Sequence, residues 1–252
     1  MIHIFDQDPE PENTQTKGVS LKRVAIFVII LGAIFAVGTL YQEALFNLSR
    51  EVILACGQNL SESKLEFFKA LSDWTEGENY VIFSLALAPF LSRERFWYYV
   101  VAIQFANYTK NNLKLMMSEP RPTWVWSDMP SYGCAGSFGS PSGHSTRSAN
   151  IVFLVILDLF FPSAWSKMRL PHLNTFSPSK NPLIFTLCLI FMITFWPLVI
   201  SDRVILGKHT LNQILLGSQT GIWCACFMHF VLRDCIFSHV RRITNAGSDL
   251  GR

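Results

Sequence analysis

The chain has 252 residues, of which 50% are hydrophobic and only 15% are charged, and its formal net charge is +3 at pH 7. Soluble domains carry about a quarter charged residues, and here the apolar residues form long uninterrupted blocks. The net charge is too small and too scattered for a nucleic-acid-binding protein. The composition therefore predicts an integral membrane protein.

The predicted elements begin with a disordered polar tail at 1–20, and a first membrane span follows at about 24–41. Residues 42–78 leave two interpretations open, an amphipathic helix or re-entrant cap at the membrane interface and a plain helical connector. Further spans are predicted at about 79–92, 96–109, 148–162, 183–200 and 211–232. The predicted fold is all-α, a polytopic bundle of about six transmembrane helices over 21–235, with a C-terminal tail at 236–252.

The basic residues predict the orientation of these spans. Groups of Lys and Arg lie before the first span, between the second and third, between the fourth and fifth, and after the sixth. Because such residues favour the cytoplasmic side, both termini are predicted to be cytoplasmic. The opposite side, lumenal or extracellular, then holds 42–78, 110–147 and 201–210. The last two segments also contain Lys and Arg, and anion binding is a reason for cations on that side.

Two motifs lie in the segment 110–147. Lys114 precedes Arg121-Pro122 by seven positions, a pair that by itself is also typical of membrane-interface anchors. Pro141-Ser142-Gly143-His144 enters the fourth span, where the free N–H groups of a helix start bind anions. There Gly143 allows close approach of an oxyanion, and His144 exchanges protons near neutral pH.

The third motif lies in the segment 201–210 and continues into the last span. Arg203 supplies a planar fork for phosphate oxygens, and His209 follows it six residues later. Gln213 shares a helix face with His209, so its amide oxygen is predicted to accept the Nδ1–H and leave Nε2 free as a nucleophile.

Together the three motifs resemble the type 2 phosphatidic acid phosphatase superfamily, which also includes glucose-6-phosphatase and the vanadium haloperoxidases. The resemblance implies an acid phosphatase/vanadium haloperoxidase-like core and a phosphatase that needs no metal and no other cofactor. It also implies roles for the site residues. His209 is the nucleophile, His144 the acid–base and Gln213 the orienting residue, while the phosphate is held by Lys114, Arg121, Ser142, Gly143 and Arg203.

Two positions depart from the family pattern. Asp202 stands where the family has Ser, and its charge is expected to repel a phosphate unless it points away or pairs with Arg203 or Lys208. Gln213 stands where most members have Asp, although glucose-6-phosphatase and dolichyl diphosphatase resemble this chain in having Gln. Both departures keep open a catalytically weak, lipid-binding relative.

The expected substrate is a lipid phosphate such as phosphatidate or a sphingoid-base phosphate, presented from the bilayer to a lumenal or extracellular site. A glucose-6-phosphatase-like or dolichyl-diphosphatase-like hydrolase is the alternative, and an anion transporter is a more distant one. The expected location is the endoplasmic reticulum, another endomembrane or the plasma membrane. The expected partners are the bilayer and a membrane lipid, with no nucleic acid and an undetermined oligomeric state.

Overall fold

The computed structural model describes residues 18–58, 60–76, 79, 91–129, 132, 136–160 and 182–249. Every regular element in these residues is a helix, which confirms the all-α prediction for the described part of the chain. The helices are α1 (Leu21–Gln58), α2 (Glu62–Trp74), α3 (Arg93–Met117), α4 (Pro122–Val125), α5 (Gly143–Phe160), α6 (Pro182–Ile205), α7 (Leu211–Phe227) and α8 (Arg233–Asp249). A π-helical turn, Met228–Leu232, joins α7 to α8.

Several helices extend past the predicted spans, because an apolar run marks the part of a helix that suits lipid and not the helix end. Helix α1 has 38 residues and α3 has 25. The first half of the segment 42–78 therefore belongs to α1, and the predicted amphipathic stretch is a separate helix, α2. The span predicted at 79–92 lies almost wholly outside the described residues.

Two helical stretches of the described residues are long and apolar enough to cross a membrane, Leu21–Gly57 and Leu211–Thr244. The count of six spans stays a prediction. Large apolar side chains of α1, such as Ile29 and Leu40, are 71% and 82% exposed. A row of such side chains is stable only against an apolar partner or solvent, which agrees with a helix in lipid.

Helices α5 and α7 form the most extensive packing in the described bundle. Two α7 glycines, four residues apart, allow this approach. A Cβ on Gly217 would lie 2.7 Å from the Ser142 carbonyl oxygen, and one on Gly221 would lie 3.0 Å from the Asn150 nitrogen. Larger residues would force the helices apart. The start of α5 is therefore held directly against the first half of α7.

A buried cluster of charged residues lies at the C-terminal end of α5. Asp158 lies 2.7 Å from Arg95 Nε of α3 and 2.6 Å from Arg233 Nη2 of α8, and it accepts a hydrogen bond from the Tyr99 hydroxyl. Asp158 is 14 residues beyond His144, about 21 Å along the helix at 1.5 Å per residue. The cluster ties three helices together far from the three motifs.

Candidate active site

The turn between α6 and α7 sets the distance between Arg203 and His209. Helix α6 ends at Ile205, and two residues later Gly207 has a φ of +61°, a left-handed conformation that favours glycine. The Lys208 N–H donates to the Arg203 carbonyl and the Gly207 N–H to the Val204 carbonyl, which is the Schellman pattern. This reversal places His209 beside the helix end that carries Arg203.

His209 is almost fully buried, and Gln213 holds one of its nitrogens. His209 Nδ1 lies 3.2 Å from Gln213 Oε1, so the predicted contact is present. Gln213 Nε2 donates to the Pro120 carbonyl at 2.8 Å, and Oε1 also accepts from the Thr210 N–H. The amide is thereby oriented with its oxygen toward His209. Nδ1 must then carry the proton, and Nε2 is left with a lone pair.

The length of Gln213 is used in full. Its side chain spans from His209 to the Pro120 carbonyl, and its amide packs so closely on Gly139 that a Cβ at position 139 would overlap it. An Asp is shorter and has no donor for a carbonyl. The departure from the family residue is therefore matched by its surroundings.

Arg203 links Asp202 to His144. Its guanidinium makes a two-pronged ion pair with the buried Asp202 carboxylate, through Nε and through Nη2 at 2.9 Å. Its Nη1 lies 3.1 Å from His144 Nδ1. Pairing with Arg203 is one of the two conditions under which Asp202 does not repel a phosphate. The Asp202 charge is thus paired with Arg203, the arginine predicted from the sequence to bind phosphate.

Lys114 and Arg121 converge on one short loop. Lys114 Nζ donates to the Phe138 carbonyl at 2.7 Å, and Arg121 Nε donates to the Ser137 carbonyl at 2.7 Å. Arg121 Nη1 also lies 3.4 Å from His209 Nε2. Their partners in these contacts are neutral oxygens and an imidazole, which do not compensate a positive charge. Burial and the neighbouring Arg121 lower the pKa of Lys114 to about 7, and an anion bound beside it would favour the charged form.

Ser142 and Gly143 stand at the start of α5. The Ser142 N–H donates to the Gln213 carbonyl at 3.0 Å, which ties this turn to α7. The Ser142 hydroxyl is fully buried and accepts from Ser145 Oγ at 3.1 Å. The N–H groups of the first helical turn have no partner within the helix and are suited to an oxyanion.

Burial and positive charge act together on both histidines. Burial, followed by Arg121, Lys114 and Arg203, holds the pKa of His209 well below its ordinary value of 6.5. Burial and the cations Arg203, Arg147 and Lys208, together with His209, lower the pKa of His144 in the same direction. Both imidazoles are therefore neutral at pH 7 when no anion is bound.

The same burial and crowding of cations act on the basic side chains. Burial and Arg203 lower the pKa of Arg121 to about 10. Burial and Arg203 also lower the pKa of Lys208, although the nearby Glu76 charge opposes the shift. Like charges so close together are costly unless an anion joins them.

Lys110, Ser72 and Glu76 contribute to the site from outside the motifs. Lys110 is buried, with Nζ 3.6 Å from where a Cβ of Gly143 would lie. Lys110 lies one helical turn before Lys114, and this i, i+4 spacing is the sequence pattern that could have identified it. Lys208 Nζ bonds Ser72 Oγ of α2 at 3.2 Å, and Glu76 lies 3.8 Å from His144. No sequence pattern identifies the contacts of Ser72 and Glu76 with the site, because they join segments that are distant in sequence.

The fold and the site define a helical membrane protein with a buried cluster of two histidines and several cations. The model of the PAP2 superfamily matches residues 95–236, more than half of the chain, and the chain belongs to this superfamily. Family and fold together indicate a membrane phosphatase. No curated protein matches the chain significantly in sequence.

Two solved structures share the fold. One is the transmembrane PAP2 type phosphatidylglycerolphosphate phosphatase from Bacillus subtilis, with a TM-score of 0.57 and 17% identity over 90% of this chain and 96% of that chain. The other is LpxE from Aquifex aeolicus, with a TM-score of 0.54 and 16% identity over 72% of this chain and 94% of that chain. At such identities the likeness supports the architecture alone.

Proposed function

We propose that this protein is a metal-independent membrane phosphatase that hydrolyses the phosphate monoester of a lipid through a phosphohistidine. One observation carries the proposal. His209 is held with Nε2 free 3.4 Å from Arg121 Nη1, while Arg203 of the adjoining helix end contacts the second histidine, His144. A nucleophile, an acid–base group and two guanidinium groups thus lie together in one buried cluster.

In the first step His209 Nε2 attacks phosphorus, the N–P bond forms and the bond to the leaving oxygen breaks. Lys114, Arg121 and Arg203 stabilise the charge on the equatorial oxygens, together with the Ser142 hydroxyl and the N–H of Gly143. Phosphoryl transfer asks mainly for positioning and positive potential, and these groups supply both. Among the described residues, no group of three or more His, Cys, Asp and Glu side chains is placed to hold a metal ion.

His144 completes the proposed reaction. It gives its proton to the departing oxygen, then takes one from the water that attacks the phosphohistidine and releases phosphate. A protonated His144 cannot accept from Arg203 Nη1, which contacts its Nδ1 in the free protein. A phosphate that draws the guanidinium onto its own oxygens therefore frees Nδ1 for a proton and supplies negative charge beside it.

The nucleophile determines how activity responds to acid. His209 attacks only when neutral, and its lowered pKa means that protonation removes the nucleophile only well below pH 6.5. We expect the acid limb of the kcat/KM profile, corrected for the ionisation of the substrate phosphate, to lie below pH 6.5. An acid limb centred at or above pH 6.5 in the purified enzyme would contradict this electrostatic account.

The proposed membrane arrangement has about six spans, cytoplasmic termini and a lumenal or extracellular active site. It is supported by the placement of all three motifs at one end of the described bundle, and by the basic residues predicted to face the cytoplasm. A site at the membrane surface receives a head group from the bilayer directly. This is why a lipid phosphate is preferred over a soluble ester.

A substrate panel tests the function. Purified protein in detergent micelles is given phosphatidate, a sphingoid-base phosphate, glucose 6-phosphate and dolichyl diphosphate, each with excess chelator. We expect phosphate release from a lipid monoester, persistence in chelator and inhibition by vanadate. Preference for glucose 6-phosphate or dolichyl diphosphate would select the alternative hydrolases. Lipid binding without phosphate release from any of the four would indicate the non-catalytic relative.

A further inference from the structure

The two histidines of the site are held at their outer nitrogens by different chemical groups. His209 Nδ1 meets the neutral amide of Gln213, which leaves Nε2 toward Arg121. His144 has the reverse orientation. Its Nδ1 faces Arg203 of the phosphate site, and its Nε2 faces the carboxylate of Glu76, with Oε1 at 3.8 Å.

The proton of neutral His144 lies on the side of Glu76. A guanidinium only donates, so the contact with Arg203 requires a lone pair on Nδ1 and places the proton on Nε2. That nitrogen is buried and has no hydrogen-bond partner among the described residues. The Glu76 carboxylate is within ion-pair range, and an approach of about 1 Å would make a hydrogen bond.

The turn that carries Glu76 is fixed although its side chain is half-exposed. The Thr75 side chain is buried and donates to the Leu71 carbonyl at 2.9 Å. The Glu76 N–H donates to the Asp73 carbonyl at 3.2 Å. One turn earlier, Ser72 accepts from Lys208 of the site. The backbone that carries Glu76 is therefore anchored to the site, and its half-exposed side chain lies 3.8 Å from His144.

Glu76 also differs from Asp202, the other carboxylate near the site. Asp202 is bound by Arg203 through both oxygens. The Glu76 charge instead acts on other cations of the site, where it favours the charged forms of Arg121 and Lys208. Its carboxylate is thus available to His144.

We propose that Glu76 is the positioning residue of the acid–base histidine, accepting the Nε2–H of His144 and so presenting the transferable proton on Nδ1 to the leaving oxygen. The inference rests on the proposed phosphatase function. It gives each histidine a partner suited to its task. An amide keeps the nucleophile neutral, and a carboxylate stabilises the imidazolium form of His144, which donates a proton and, once neutral, accepts one from water.

The test compares wild type with Glu76→Gln on two monoesters. One is a short-chain phosphatidate, whose alcohol needs a proton to leave, and the other is 4-nitrophenyl phosphate, whose phenolate leaves without one. We expect kcat/KM for the phosphatidate to fall about 100-fold, the range of a lost acid–base contribution, while the nitrophenyl ester is nearly unaffected. We also expect stronger inhibition by inorganic phosphate, because the variant lacks a negative charge that repels phosphate near His144.

The pH profile supplies an independent readout. The charged or titratable groups around His144 are Arg203, Arg147, His209, Lys208 and Glu76. Glu76 is the negative one among them. Its removal is therefore expected to move the basic limb of the kcat profile for the phosphatidate, which reports the substrate-bound enzyme, to lower pH, since the imidazolium loses its stabilising charge.

Glu66→Gln, on the exposed face of α2, is the matched control and is expected to behave as wild type. Equal losses on both esters with weaker phosphate inhibition would mean that Glu76 only supports the fold, and unchanged kinetics would remove its role altogether. Either result overturns the inference while leaving the phosphatase proposal intact. A wild type that releases phosphate from neither ester would instead refute the proposed function.

Discussion

Replacement of His209 by Ala is expected to lower phosphate release by about 10⁴-fold or more, the scale on which enzymes respond to loss of a covalent nucleophile. His209 Nε2 is the imidazole nitrogen left free by Gln213, and it faces Arg121. The other imidazole of the described site, His144, lies with Nδ1 3.1 Å from Arg203 Nη1 and is assigned to proton transfer. Steady-state release of phosphate from the preferred lipid measures the effect.

Direct detection of the covalent intermediate makes the same prediction sharper. Wild type quenched during turnover with ³²P-labelled substrate should carry an acid-labile, base-stable label, and His209→Ala should carry none. With ³²P-labelled 4-nitrophenyl phosphate, whose phenolate leaves without a proton, His144→Asn should retain more label, because water is no longer activated to hydrolyse it. His239→Ala is the control, since His239 is exposed and outside the site. Label on His209→Ala, or turnover near that of wild type, would refute the phosphohistidine proposal.

Replacement of Arg203 by Leu is expected to have the second largest effect, on activity and stability together. Loss of one donor to the developing charge typically costs about 10²–10³-fold in kcat. The same change leaves the fully buried Asp202 carboxylate without its ion-pair partner. An uncompensated buried charge lowers the free energy of unfolding by about 3–5 kcal/mol. Thermal unfolding in detergent and phosphate release measure the two effects separately.

The double variant Asp202→Asn with Arg203→Leu separates folding from catalysis. With the buried charge removed, we expect most of the thermal stability to return, since a neutral pair can replace a buried ion pair at little cost. Activity should stay low, because the Arg203 guanidinium is no longer present to bind the phosphate. A double variant as active as wild type would show that Arg203 does not hold the substrate. A double variant no more stable than Arg203→Leu would show that Asp202 is not the source of the instability.

Much of the site was predictable because its spacing is local. The six-residue interval from Arg203 to His209 corresponds to one Schellman turn on Gly207, and the four-residue interval to Gln213 corresponds to one helical turn. Residues this close in sequence have few ways to be arranged. The roles assigned to them stay proposals, whereas their convergence in one site is observed.

The sequence predicted helix location better than helix length. The apolar runs coincide with helices wherever the structure describes them, but α1 continues to Gln58 and α3 to Met117. Backbone hydrogen bonds continue a helix into polar sequence as long as no residue stops it. In α3 the stop is Ser118, which adopts a left-handed conformation with φ of +46° one turn after Lys114.

By itself the sequence determined that this is a helical membrane protein and which three motifs belong together. Only the tertiary structure decided the fate of the charges. The Asp202 charge is paired with Arg203, and the amide of Gln213 is oriented by the carbonyl of Pro120, a residue distant in sequence. Glu76 lies 3.8 Å from His144 in the turn that follows α2, a segment that no motif marks. Electrostatic energy depends on the distance and burial of groups that packing brings together, and neither quantity is set by position along the chain.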